Sequence, residues 1–150
     1  MINRVFFLPV LAFFLLLLTG CNKEEPGEQN SKVKNDTPEH AALLFARSIY
    51  EERTIETALS LSTPRLQRVL NSYHINSNVQ RHIFNLKYDN VKIIPDGGNK
   101  IGRAQFAETA SVTLFFTGTY GDDHIEDLRS VKLLRQNGQW KVDRIAADVM

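Results

Sequence analysis

The sequence LLRQNGQWKVD, residues 133–143, carries the clearest structural signal in the chain. An Asn-Gly pair between two β-prone runs is the strongest short-range sign of a two-residue β-hairpin, because both turn residues need positive φ angles. The stretch therefore predicts two antiparallel strands, at residues 125–136 and 139–145, that meet at Asn137-Gly138. The apolar residues of the first strand do not alternate strictly between its two faces, which indicates a β-bulge.

Two more β-prone segments precede this hairpin. Residues 104–119 have apolar side chains on one face and mainly threonine or serine on the other, which is typical of a half-buried strand. The predicted inward residues of this strand are Phe106, Ala110, Val112, Leu114 and Phe116. Residues 88–94 form a shorter run that ends at a strong turn signal, PDGGN at residues 95–99. Four consecutive strands joined by short turns predict a curved antiparallel meander.

The segment before these strands is predicted to be helical. Thr37-Pro38 and Thr63-Pro64 each place a capping side chain before a proline, which is favourable at the first helical position. We predict helices over residues 38–52, 55–60 and 64–73 and a last helical piece capped by Ser77. The apolar stripe of the third helix comprises Leu66, Val69, Leu70 and Tyr73. Helices followed by strands predict an α+β domain whose N-terminal helices pack on a four-stranded antiparallel sheet.

The N-terminal residues 1–20 have the pattern of a secretory signal peptide. Arg4 precedes an apolar run over residues 5–18, which is shorter than the ~20 residues that span a bilayer. The run ends at Leu18-Thr19-Gly20-Cys21, which resembles the lipobox of bacterial lipoproteins. The resemblance implies a diacylglyceryl thioether on Cys21, cleavage before it, and acylation of the new amino terminus. In the alternative interpretation, Cys21 is an ordinary thiol after a standard signal peptide.

Residues 21–36 are polar and predict a flexible tether between the lipid and a domain at residues 37–150. In enterobacterial lipoproteins an aspartate after the cysteine signals retention in the inner membrane; Asn22 stands there in this chain, so the resemblance favours an outer-membrane, periplasm-facing location. Only Arg4 of the 18 basic residues lies in residues 1–20, so basic residues balance the 17 acidic ones in the remainder. Neutrality argues against a nucleic-acid partner and leaves a protein partner or a small ligand open.

Residues 37–147 resemble nuclear-transport-factor-2-like (cystatin-like, SnoaL-like) domains, in the branch found in small bacterial lipoproteins. The matching pieces are TPE at residues 37–39, AL at 58–59, STP at 62–64, ETASVTL at 108–114 and the 133–143 stretch. The resemblance implies a cone formed by the curved sheet and its helices. Enzymes of this superfamily place an aspartate inside the cone, often with histidine, tyrosine or arginine, and sheet faces of the superfamily often dimerise.

Three charged residues are candidates for a pocket in such a cone. Glu108 shares a predicted strand face with Phe106 and Ala110, and a carboxylate in an apolar pocket can act as a general base because desolvation raises its pKa. The alternative is a solvent-exposed residue at a strand end. Asp127 and Arg129 lie two residues apart on one predicted face, either as a buried polar pair or as a surface pair. None of the three can be assigned a catalytic role from the sequence.

The sequence predicts no metal site and no cofactor. His40, His74, His82 and His124 form no metal-binding spacing, and no glycine-rich phosphate loop or nucleophile motif occurs. Phe115 stands among threonines on the outer face of its strand and is a candidate partner or homodimer contact. The first hypothesis is therefore a membrane-anchored, non-enzymatic binding module of the envelope. The second is a cone-pocket enzyme that transfers protons, isomerase-like or hydrolase-like, and the third is a purely structural module.

Overall fold

The structure of the protein is a computed structural model that describes residues 37–96 and 107–147. The four strands of this described part form one open antiparallel sheet, and helices precede them, so the α+β prediction is confirmed. The predicted signal peptide, Cys21 with the predicted tether, residues 97–99 of the predicted turn, and Phe106 lie outside the described residues. No helix in the described ranges is long and apolar enough to cross a membrane.

The helices begin and end close to the predicted positions. They are α1 (Pro38–Glu51), α2 (Glu56–Ser60), α3 (Pro64–Tyr73), α4 (Asn76–Val79) and a π-helical turn (Gln80–Phe84) that continues α4. The capping predictions for Thr37 and Thr63 are confirmed, since each Oγ1 accepts a hydrogen bond from a backbone N–H three residues on, at 3.2 Å and 3.3 Å. Each cap satisfies a donor that the first helical turn leaves unpaired.

The end of α1 is satisfied by side chains from a distant part of the chain. Asn76 Nδ2 lies within 3.1 Å of three backbone oxygens, those of Ser48, Glu52 and Thr54. Gln80 Nε2 donates to Ile49 O at 2.8 Å. These carbonyl groups belong to the last turn of α1 and the loop after it, where no helical N–H can reach them. Asn76 and Gln80 therefore replace the glycine cap that commonly ends a helix.

Two details of the helical prediction are wrong. Ser77 does not cap the last helical piece. This helix, α4, begins at Asn76, so Ser77 is its second residue, and it has no capping side chain. Val69 is not a core residue: it is 42% exposed, whereas Leu66 and Leu70 on the same helix are buried. Val69 instead lines a groove on the surface of α3.

The sheet is a meander in which each strand pairs with the next along the chain. Its strands are β1 (Asn90–Pro95), β2 (Thr109–Tyr120), β3 (Asp123–Gln136) and β4 (Gln139–Ala147), in that spatial order. Asn137 and Gly138 have φ angles of 52° and 78°, as the predicted two-residue hairpin requires. Ala107 and Glu108 precede β2, so this strand starts later than the predicted position 104.

The predicted bulge lies between β3 and β4. Pairing passes from Lys132 opposite Arg144 to Leu133 opposite Val142, so Asp143 is the extra residue on β4. The bulge on the strand pair is confirmed, and its extra residue lies on the strand after the one whose irregular pattern indicated it. Asp143 Oδ1 accepts a hydrogen bond from Thr63 Oγ1 at 2.8 Å, so the bulge contacts the start of α3.

Helical and strand residues share one apolar core. Phe45 and Ile49 of α1, Phe84 of the π-helical turn, Phe116 of β2 and Trp140 of β4 are almost fully buried in it. The alternation predicted for β2 is confirmed at its centre, where every second residue is buried: Val112, Leu114 and Phe116.

Candidate functional site

Asp127 and Arg129 form an ion pair on the same face of β3. Arg129 Nη1 donates to Asp127 Oδ1 at 2.6 Å. The two residues lie opposite Phe116 and Leu114 of β2, which are buried. Arg129 is only 5% exposed, whereas about a third of the Asp127 side chain is exposed. The structure therefore brings these two predicted site residues together as a polar pair at the edge of the apolar core.

The guanidinium group of Arg129 also binds backbone oxygen atoms. Its Nε donates to Phe84 O at 2.6 Å, and its Nη1 donates to Leu128 O at 2.6 Å. Phe84 is the last residue of the π-helical turn, so Arg129 links the end of the helical region to the sheet. Asp127 Oδ1 accepts a second hydrogen bond from Leu128 N at 2.7 Å. Both charged groups are thus held by fixed partners, as a buried charge requires.

Aromatic rings occupy the space beside this pair. The ring of Tyr50 lies 5.5 Å from that of Phe84, 5.7 Å from Phe116 and 5.9 Å from Tyr88, measured between centroids. Tyr50 Oη donates to Leu86 O at 2.9 Å. Burial raises the pKa of Tyr50, with a further rise from Tyr88 and an opposing effect of Arg129. The four rings fill this part of the interior with apolar surface.

Tyr88 is the residue of this cluster whose polar group is unsatisfied. It is 8% exposed, and its hydroxyl makes no hydrogen bond to any described residue. Burial raises its pKa to about 12, and the negative charge of Asp127 adds to the rise. Neither Tyr50 nor Tyr88 was predicted as a site residue. Enzymes of the superfamily that the sequence resembles often place a tyrosine near an aspartate, and this was the signal that could have pointed to these residues. Sequence spacing alone, however, does not show that residues 50, 88 and 127 lie close together.

Glu108 lies far from the Asp127–Arg129 pair. It is exposed and precedes β2, and its carbonyl oxygen accepts from Arg135 N at 2.8 Å. Phe116, which is opposite Asp127, is eight residues further along the chain. At about 3.4 Å per strand residue, the backbone positions of Glu108 and Asp127 are offset by roughly 27 Å along the strand direction. The three candidate residues therefore do not form one pocket.

The outer face of the sheet carries an apolar row across three strands. Ile94 of β1 is opposite Phe115 of β2, which is opposite Leu128 of β3. Ile94 is 41% exposed, and the other two are half-buried. Thr113 and Thr117 lie on either side of Phe115 along the same face. Phe115, singled out from the sequence, is the centre of this row.

Two cavities lined by described residues lie elsewhere. One, of about 440 Å³, is bounded by α1 and α2 and includes Glu51 and Glu52. The other, of about 250 Å³, is the groove beside α3 that includes Val69. In residues 37–96 and 107–147, no three His, Cys, Asp or Glu side chains lie close enough together to hold a metal ion.

No protein-family model matches the chain, and no curated protein matches it.

Proposed function

We propose that the protein is a bacterial envelope lipoprotein that acts as a non-enzymatic binding module. In this proposal Cys21 carries the acyl chains, residues 22–36 form a tether, and the α+β domain faces the periplasm from the outer membrane. Support comes from the Leu18-Thr19-Gly20-Cys21 pattern after an apolar run of signal-peptide length. At ~0.8 kcal/mol for each buried CH₂, two or three acyl chains suffice for stable anchoring.

The observation that carries the binding role is the row of Ile94, Phe115 and Leu128 on the outer face of the sheet. Contiguous apolar side chains on a sheet face are favoured at protein contacts, because their burial releases ordered water. In this proposal the partner is a second copy of the domain or another envelope protein. A second copy presents its own sheet face to this row, and another envelope protein presents an apolar surface. The row lies on the opposite side of the sheet from the Arg129 side chain.

We further propose that the domain has the nuclear-transport-factor-2-like cone. The order of helices followed by a four-stranded antiparallel meander is compatible with that fold. Binding has more support than proton transfer, because Asp127 Oδ1 already accepts two hydrogen bonds and aromatic rings occupy the adjacent space.

Metabolic labelling with an alkyne-tagged fatty acid tests the anchor. We expect the wild-type chain to be labelled and to sediment with outer membranes in a density gradient. The Cys21→Ser variant should be neither labelled nor membrane-bound, whereas Ser31→Ala, in the tether, should behave like the wild type. An unlabelled wild-type chain contradicts the lipoprotein proposal.

Photo-crosslinking in intact cells tests the binding role. A photoreactive amino acid at Phe115 should give one discrete product, either twice the mass of the chain or the mass of the chain plus one partner. The same amino acid at Ser111, which is exposed on the outer face of β2 away from the row, is the control. Absence of a product at Phe115, or equal products at both positions, contradicts a partner at this row.

A further inference from the structure

The groove beside α3 is formed by three elements that are distant in sequence. Arg65, Val69 and Tyr73 of α3 lie along one side, His82 and Ile83 of the π-helical turn close one end, and β4 forms the other side. Its volume is about 250 Å³. The groove uses neither the Asp127–Arg129 pair nor the row of Ile94, Phe115 and Leu128. Arg144 of its lining lies opposite Lys132 of β3.

One half of the groove is apolar and carries a flat surface. The imidazole of His82 stacks on the ring of Tyr73, with centroids 5.2 Å apart and planes 11° from parallel. Val69 is 42% exposed here, and Ile83 is half-buried. An exposed valine beside a stacked aromatic pair offers apolar contact area to a ligand.

The other half of the groove is positively charged. Asp143, the extra residue of the bulge, accepts hydrogen bonds from Thr63 Oγ1 at 2.8 Å and from Arg65 Nη1 at 3.2 Å. This contact holds the Arg65 guanidinium at the groove and uses only one of its five N–H donors. Arg144 follows on β4, is exposed, and pairs with no acidic side chain among the described residues. The lining of the groove thus carries two arginines and one aspartate, whose carboxylate is already bonded.

We propose that this groove binds a small amphipathic carboxylate. Its carboxylate accepts hydrogen bonds from Arg144 and from the free donors of Arg65, and its apolar body lies against Val69 and the Tyr73–His82 stack. Guanidinium groups bind carboxylates in planar, bidentate geometry, which favours a carboxylate over a neutral polar group. The inference goes beyond the proposed function, because it needs neither the lipid anchor nor a protein partner.

The size of the groove restricts the ligand. Pockets for drug-sized molecules range from about 300 to 1,000 Å³, so a groove of about 250 Å³ suits a single ring or a short aliphatic chain. An acid with one aromatic ring fits both halves of the groove at once, since the ring continues the stack and the acid group reaches the arginines.

Methyl NMR on the full chain in lipid nanodiscs tests the proposal, with phenylacetate as the probe. We expect saturable shifts of the Val69 and Ile83 methyl signals, and empty nanodiscs correct for partitioning of the probe into lipid. Phenylacetamide lacks the charge and acetate lacks the ring, so each should bind at least tenfold more weakly. Equal binding of phenylacetamide, or no saturable shift up to the solubility limit of phenylacetate, overturns the proposal.

Two substitutions separate the halves of the groove. Arg144→Gln should weaken phenylacetate binding about tenfold, because it removes a hydrogen bond to a charged group. Arg68→Gln removes the same charge from an exposed position on α3 that does not line the groove, and should leave the affinity unchanged. Val69→Ser should weaken the binding of phenylacetate but not that of acetate. Equal effects of the two arginine substitutions contradict a specific carboxylate site.

Discussion

Single buried polar side chains connect distant parts of this molecule through backbone carbonyl groups. Asn76 binds the carbonyls at the end of α1, and Arg129 binds the carbonyl of Phe84 at the end of the π-helical turn. A buried carbonyl without a donor costs about 1–3 kcal/mol, so each of these residues stabilises more than its own position. Asp127 and Arg129 were predicted from their spacing, but their partners on other elements were not.

Asn76→Ala should lower the free energy of unfolding by about 2–3 kcal/mol, because three carbonyl oxygens then share no side-chain donor. Urea denaturation followed by circular dichroism measures this. Ser77→Ala is the matched control: Ser77 is exposed and caps nothing, so its substitution should change stability by less than about 0.5 kcal/mol. Equal losses from the two variants contradict the capping role of Asn76.

Removal of the hydroxyl group should destabilise the protein at one tyrosine of the aromatic cluster and not at the other. Tyr50→Phe loses the hydrogen bond to Leu86 O and should cost about 1 kcal/mol. Tyr88→Phe removes a buried hydroxyl that has no partner among the described residues, so stability should stay equal or rise. Urea denaturation of both variants at neutral pH decides. A cost for Tyr88→Phe as large as that for Tyr50→Phe means that its hydroxyl is hydrogen-bonded in solution.

At the scale of elements, some boundaries of helices and strands are determined by neighbouring residues and others by tertiary contacts. The starts of α1 and α3 and the β3–β4 hairpin depend on neighbouring residues, namely Thr37, Thr63 and Asn137-Gly138, and all were predicted. The end of α1, the start of α4 at Asn76 and the position of the extra bulge residue depend on distant residues. This is why Ser77 was wrongly assigned as a cap and why Asp143 was not identified as the extra residue.

The contact between β1 and β2 requires a glycine. A Cβ atom at Gly118 would lie 2.9 Å from Tyr88 Cδ1 and would overlap with Asn90 O. We expect Gly118→Ala to destabilise the protein by about 3 kcal/mol through overpacking, as measured by thermal and urea unfolding.

Gly121→Ala is the control for that substitution. Gly121 has a φ angle of +59° but open space around it, so alanine there adds backbone strain of about 1 kcal/mol without a clash. If Gly118→Ala costs no more than Gly121→Ala, the close approach of Tyr88 and Asn90 to β2 is not as described.

At the scale of the whole molecule, the helices and the sheet share one interior. In it, charged side chains and tyrosine hydroxyl groups lie beside aromatic rings. The linker between α2 and α3 joins the sheet directly, since Thr63 N donates to Val142 O and Val142 N donates to Leu61 O, both at 2.8 Å. Together with the Arg129 bond to Phe84 O, these contacts connect the helices to the sheet. Conditions that charge an interior group should therefore affect the whole fold.

Alkaline pH provides such a condition. The folded-state pKa of Tyr88 is raised from 10.0 to about 12, and burial also raises that of Tyr50. The unfolded chain releases these protons first, so this contribution to stability is complete below about pH 10. The share of Tyr88 is lost between about pH 10 and 12, and the share of Tyr50 keeps falling above that range. Each tyrosine should contribute a slope of up to about 1.4 kcal/mol per pH unit.

Urea denaturation across this pH range measures the slope, and the double variant Tyr50→Phe, Tyr88→Phe removes it while keeping the titration of lysines. A double variant that loses stability as steeply as the wild type contradicts the raised pKa values.

The sequence by itself determined the features that depend on near neighbours or on residue periodicity. These are the α+β order, the two threonine caps, the Asn137-Gly138 hairpin, the alternation of β2 and the presence of a bulge. The tertiary structure alone decided that Glu108 lies away from Asp127, that Tyr50 and Tyr88 lie near the Asp127–Arg129 pair, and that Val69 lines a groove with Arg65 and Arg144. The physical reason is that caps, turns and strand faces follow from local backbone geometry. A site, in contrast, is formed by residues that lie far apart in sequence, and their sequence separation does not determine their distance in space.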